Sequence, residues 1–97
     1  MLDPIAKEVW CEALRSGKFK QGRKTLHNKE TNAYCCLGVA SEIFPMVALA
    51  NHLHNTLACP ALEVLGLSEV DQEILIRMND ERGRSFAEIA DYIEQNL

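Results

Sequence analysis

Apolar residues recur at helical spacing at both ends of the chain and lose that spacing between residues 18 and 36. Ile5, Ala6, Val9, Trp10, Ala13 and Leu14 make one apolar stripe, which predicts a helix over residues 3–16. Asp3 can cap it and Pro4 suits its first position. Gly17 is the expected stop, with Arg15 near the negative end of the helix dipole. At the other end, Phe86, Ile89, Ala90, Ile93 and Leu97 repeat at helical spacing behind a Ser85-x-x-Glu88 capping box. Leu67, Val70, Ile74, Leu75 and Met78 line one face of a helix capped by Ser68 and closed by Asn79–Asp80 and Gly83.

The middle reads differently. Phe19, Leu26 and Tyr34 are separated by polar residues, Gly22 interrupts, and Asn28 to Asn32 looks like a turn. This predicts a short β-hairpin with strands near Arg23–His27 and Ala33–Cys36, the first an exposed, lysine-bearing edge. Leu37 to Phe44 reads as a buried helix ending before Pro45, with Gly38 allowing a close approach by a neighbouring element. Met46–Asn55 is a short helix or a loop, and Pro60 starts a turn of helix through Leu65 that Gly66 closes. The expected fold class is α+β: a mainly helical small domain with one short β-hairpin, residues 1–97 forming a single domain.

With 97 residues, 47% hydrophobic and a quarter charged, the composition is that of a globular domain. The net charge of −4 argues against a generic duplex-DNA binder. The total hides a division. Arg15, Lys18, Lys20, Arg23, Lys24 and Lys29 fall within residues 15–29, which contain no acidic residue, whereas the chain after Phe44 is acidic. The bland account of both is solvated surface. The sharper account of the basic block is an anion site, because Arg and Lys donate charge-assisted hydrogen bonds to phosphate. It is not a P-loop, since no Gly-Lys-Ser/Thr follows at the right distance. The acidic half, with Glu69, Asp71, Glu73, Asp80, Glu81, Glu88, Asp91 and Glu94, reads mainly as the outer faces of amphipathic helices.

No export signal or membrane span is expected. The N-terminal residues lack a basic stretch leading into an apolar run, and the uncharged run Ile43–Leu62 is broken by Pro45, Asn51, His52, His54, Asn55, Thr56 and Pro60. Cys11, Cys35, Cys36 and Cys59 are then read as thiols in a reducing cytoplasm. A metal site is not expected: there is no Cys-x-x-Cys, Cys35 and Cys36 are adjacent, and His52 and His54 share a face only in an extended segment. No cofactor is implied. A nucleophilic Cys35 or Cys36 with His27 across the hairpin is the enzymatic alternative, a small hydrolase or transferase; buried structural thiols are its plain counterpart.

The strings Trp10-Cys-Glu-Ala-Leu-Arg-Ser-Gly17, Tyr34-Cys-Cys-Leu-Gly-Val39, Met78-Asn-Asp80 and Gly83-Arg-Ser-Phe-Ala-Glu-Ile-Ala90 occur in order along nearly the whole chain. In that order they resemble a group of small bacteriophage and bacterial proteins without an assigned activity. The middle departs from that group, being short and apolar over Ile43–Cys59. The resemblance implies a phage setting, in which small proteins often act against host systems by binding. The leading expectation is a non-enzymatic, cytoplasmic protein that binds a host protein, inhibiting a defence system, or sequesters a phosphate-bearing small molecule. Its ligand site would comprise Arg15, Lys18, Lys20, Gln21, Arg23 and Lys24, with Tyr34, Asn79 and Asp80 nearby. A homodimer using the apolar Pro45–Leu62 stretch is a structural alternative, since a small chain gains core by association.

Overall fold

The computed structural model describes residues 2–50, 57 and 59–97, with the backbone alone for 48–50, 59 and 60. His52, His54, Asn55 and Thr56 lie outside the described residues, as does the side chain of Cys59.

Helix α1 spans Pro4–Arg15, and the Asp3 carboxylate accepts the Ala6 N–H at 2.9 Å. Its buried residues are Trp10, Cys11 and Leu14. The sequence-predicted stripe was set too far to one side: Ile5 is 74% exposed and Val9 43%. At about 100° per residue, Ile5 and Val9 stand well around the helix from the arc of Trp10, Cys11 and Leu14, which faces the neighbouring helices. Across from it runs α6, Phe86–Asn96, with the full capping box of Ser85 and Glu88 and with Phe86, Ile89, Ala90 and Ile93 buried. The Cys11 thiol meets the Ala90 carbonyl at 3.5 Å in this seam.

Behind α1 lie α2 (Cys36–Ile43), α3 (Pro45–Ala50), α4 (Cys59–Leu65) and α5 (Glu69–Asp80). The Trp10 indole N–H donates to the Cys36 carbonyl at 3.0 Å, so the largest core side chain satisfies its only polar atom at the start of α2. Ser68 caps α5 as expected, accepting the Asp71 N–H at 3.1 Å. Val70 is exposed, however, and Gln72 is buried in its stead, its Oε1 accepting the Leu57 N–H at 2.6 Å. Of the stretch considered for dimerisation, Val47, Leu57, Ala61 and Leu62 fill the protein's own core, whereas Pro45 and Met46 are exposed.

Three two-residue strands form one sheet in the order β1-β3-β2: β1 is Lys20–Gln21, β2 His27–Asn28 and β3 Ala33–Tyr34. β2 and β3 are the expected hairpin, antiparallel, with His27 opposite Tyr34. Two features correct the expectation. The first hairpin strand begins only at His27, and β1 adds a parallel neighbour to β3. Residues 23–26 are not a strand: Lys24 stands at φ 67°, and its backbone N–H donates to Asp80 rather than to β3. The Leu26 carbonyl accepts the Cys35 N–H at 3.3 Å and lies against Gly38, where a Cβ would stand 1.7 Å from that oxygen. Only glycine lets α2 come this close to the segment. The result is a mainly helical α+β domain. No helix among the described residues is long and apolar enough to cross a membrane.

Candidate functional site

The end of α5 reaches under the segment between β1 and β2. Asn79 is wholly buried, and its polar atoms are all used. Its Nδ2 donates to the Gly22 carbonyl and to Asp80 Oδ1, each at 2.8 Å, and its Oδ1 accepts Gln21 Nε2 at 3.0 Å. Gln21 Nε2 also donates to the Arg84 carbonyl at 2.6 Å. Asp80 Oδ1 accepts the Lys24 backbone N–H at 3.0 Å. That bond holds Lys24 in the left-handed region, at φ 67°, a conformation that costs a residue other than glycine about 1–2 kcal/mol. A buried, fully satisfied polar network of this kind fixes one arrangement of two loops.

The network brings together basic residues from opposite halves of the chain. A Cβ built on Gly83, itself at φ 62°, would stand 3.2 Å from Arg23 Nη2, so the guanidinium lies over the bare backbone of the α5–α6 loop. Arg82 and Arg84 flank that glycine. Arg84 pairs with Glu88 at 3.1 Å, whereas Arg23, Lys24 and Arg82 take part in no ion pair among the described residues. Arg82 and Arg84 were absent from the sequence-predicted set. Acidic neighbours outnumber them in that half of the chain, although an Arg-Gly-Arg run after a helix end is a local signal of a basic turn.

Beside this edge stand three rings. Phe19 meets Tyr34 edge-on, with centroids 5.3 Å apart, and His27 stacks on Tyr34 at 4.2 Å with planes 3° apart. His27 Nε2 is 3.0 Å from Asn32 Oδ1. Burial pushes the Tyr34 hydroxyl above its ordinary pKa, with the Glu42 carboxylate adding to the shift. The phenol therefore stays neutral at physiological pH.

The other predicted site residues divide. Lys20 is exposed on β1, next to Gln21. Lys18 lies elsewhere, at a cleft with Val9, Ala13, Phe19 and Ile43. Arg15 does not join the basic edge: it binds Asp91 at 2.6 Å and Glu94 at 2.7 Å, neutralised by α6. Asn79 belongs to the site but as its foundation, since a wholly buried side chain cannot touch a ligand. Cys35 and Cys36 are buried, and burial raises both thiols above their ordinary value. The Cys35 sulfur caps α2 by accepting the Gly38 N–H at 3.4 Å, and the Cys36 thiol meets the Leu75 carbonyl at 3.7 Å. His27 hydrogen-bonds to Asn32 and to neither thiol. Thiols in this setting lack the exposure and thiolate character of a nucleophile. No group of three or more metal-ligating side chains occurs among the described residues.

The family model described as Domain of unknown function (DUF8296) matches residues 2–52. The chain belongs to this family. The DUF8296 region carries α1, the sheet, α2 and α3, and with them Arg23, Lys24, His27 and Tyr34. Asn79, Asp80 and the Arg82–Arg84 turn reach the site from beyond it. No curated protein and no solved structure matches the chain.

Proposed function

We propose that this protein is a non-enzymatic binding protein that takes an anionic, phosphate-bearing ligand where residues 20–24 meet the 82–84 turn. One observation carries the reading: the Asn79 network holds Arg23 against Gly83 and fixes the Lys24 backbone beside it, and the side chains of Arg23 and Lys24 take part in no ion pair among the described residues. Fixed donors that are not already neutralised bind phosphate at a small ordering cost. The buried, bonded thiols favour binding over catalysis. The acidic outer faces of the remaining helices would repel a long polyanion, which favours a small ligand or a phosphate-bearing patch on a host protein. In the phage setting that the sequence motifs imply, such a protein acts in the host cytoplasm by sequestering the ligand or occupying the host partner, and so inhibits a defence system.

Calorimetric titration of the protein with nucleotides and cyclic nucleotides tests this. Saturable binding that weakens with added salt, and by tenfold or more in Lys20→Ala/Arg23→Ala/Lys24→Ala, is the expected outcome. Unchanged heats in the triple variant would overturn it.

A further inference from the structure

An exposed histidine ring ordinarily turns freely, but His27 does not. It lies opposite Tyr34 in the β2–β3 register, and the two rings stack almost parallel at 4.2 Å. Tyr34 is buried and is itself braced edge-on by Phe19 at 5.3 Å. The Asn32 side-chain oxygen holds His27 Nε2 at 3.0 Å, so the ring leaves the stack only by breaking a hydrogen bond. His27 nonetheless remains exposed. With one face covered by Tyr34, its exposure is that of the other face and the ring edge. Phe19 and Tyr34 thus hold the outer face of His27 as a flat aromatic surface, oriented before any ligand arrives.

This surface belongs to the same sheet as Gln21, which lies two residues before Arg23. The register row that pairs His27 with Tyr34 continues to Gln21 on β1. Two strand spacings separate the ends of the row by roughly 10 Å. At its far end, Gln21 is hydrogen-bonded into the α5–α6 loop through the Arg84 carbonyl. An inorganic phosphate would use the basic edge alone. A molecule carrying both a flat heteroaromatic ring and phosphates uses both features.

We infer that the ligand is a nucleotide, with its base stacked on the outer face of His27 and its phosphates at Arg23 and Lys24. The inference rests on the phosphate-binding reading above and adds the base to it. Stacking on an aromatic face tolerates any base, because every base has a π-face, so selectivity among bases is expected to be weak.

The test compares ATP with inorganic tripolyphosphate by calorimetry on the full chain, in the native protein, His27→Ala and His27→Phe. ATP is expected to bind more tightly than tripolyphosphate. His27→Ala should weaken ATP by about tenfold, within the range typical of lost base stacking, and leave tripolyphosphate unchanged. His27→Phe, which keeps a stacking surface, should retain ATP binding; this arm also guards against a misfolded alanine variant. In NMR spectra the His27 ring protons should move upfield on adding ATP and stay in place with tripolyphosphate. Equal affinities for the two ligands, with neither altered by His27→Ala, would overturn the base contact and leave phosphate binding standing. Absence of binding by both would overturn phosphate binding itself, and this inference with it.

Discussion

The seam between α1 and α6 and the junction between residues 21–24 and 79–84 are held by opposite means. At the seam, Trp10, Leu14, Ile89 and Ile93 are almost wholly buried, and burial of this kind is non-directional and scales with area. At the junction, four hydrogen bonds cross between segments more than 50 residues apart, and one glycine admits a guanidinium. Such bonds contribute little each when made but cost much when one partner is removed. The seam should therefore set global stability, and the junction should set the shape of one surface.

The largest expected effect lies in the seam. Trp10→Ala should lower unfolding stability by about 3–5 kcal/mol, read from chemical denaturation, because a cavity replaces the core's largest side chain and the Cys36 carbonyl loses its donor. Asn79→Ala should cost less, about 1–3 kcal/mol, since it leaves the Gly22 carbonyl and one Gln21 contact without partners. The comparison is sharpened by hydrogen exchange: in Asn79→Ala the Gly22 and Lys24 amides should lose protection while Ile89 and Ile93 keep theirs. Equal loss across both regions would show that they unfold as one unit and end the distinction.

Smaller effects are expected at the edge of the junction. Lys24→Gly relieves a left-handed backbone at the cost of a more flexible unfolded chain. Thermal melts should show unchanged or slightly raised stability, by up to about 1 kcal/mol, together with weaker anion binding. The smallest effect concerns the α6 cap. The Ser85 backbone N–H, and then Arg84, hold the Glu88 carboxyl below its ordinary value of 4.5. A depressed acid stabilises the folded state fully above its unfolded pKa and loses that contribution as pH falls through the folded one. The difference in melting temperature between the native protein and Glu88→Gln should thus be present at neutral pH and vanish in acid. A difference that grows on acidification would contradict the capping geometry.

What was readable in the sequence follows the same division. Helix ends were legible because their causes are local: Asp3, Ser68 and Ser85 each accept a backbone N–H within three residues of themselves. The close approach at Gly38 and the burial of the cysteine pair were also legible. Periodicity located the helices but not the facing of every one. Ile5, Val9 and Val70 turned outward because coverage depends on where neighbours sit, which apolarity alone does not encode. Buried Gln72 and Asn79 could not be read as core, since a polar side chain enters the interior only where distant partners satisfy it. For the same reason the sequence placed Asn79 and Asp80 near the basic block without revealing that Asn79 supports the loop from beneath. Arg15 looked like part of that block by position, but Asp91 and Glu94 on another helix claim it.

The Lys24–Asp80 bond also sets a clock. Its partners are 56 positions apart, so during synthesis Lys24 leaves the ribosome well before the residue that fixes it. At about 5–20 residues per second, that wait lasts several seconds. Through that interval the basic loop has its charges but not its shape, while α1 and the hairpin can already form from residues at hand. The shape of that loop is therefore acquired late, and release of a chain lacking the α5–α6 turn would yield a protein with the charge block but without the contacts that organise it.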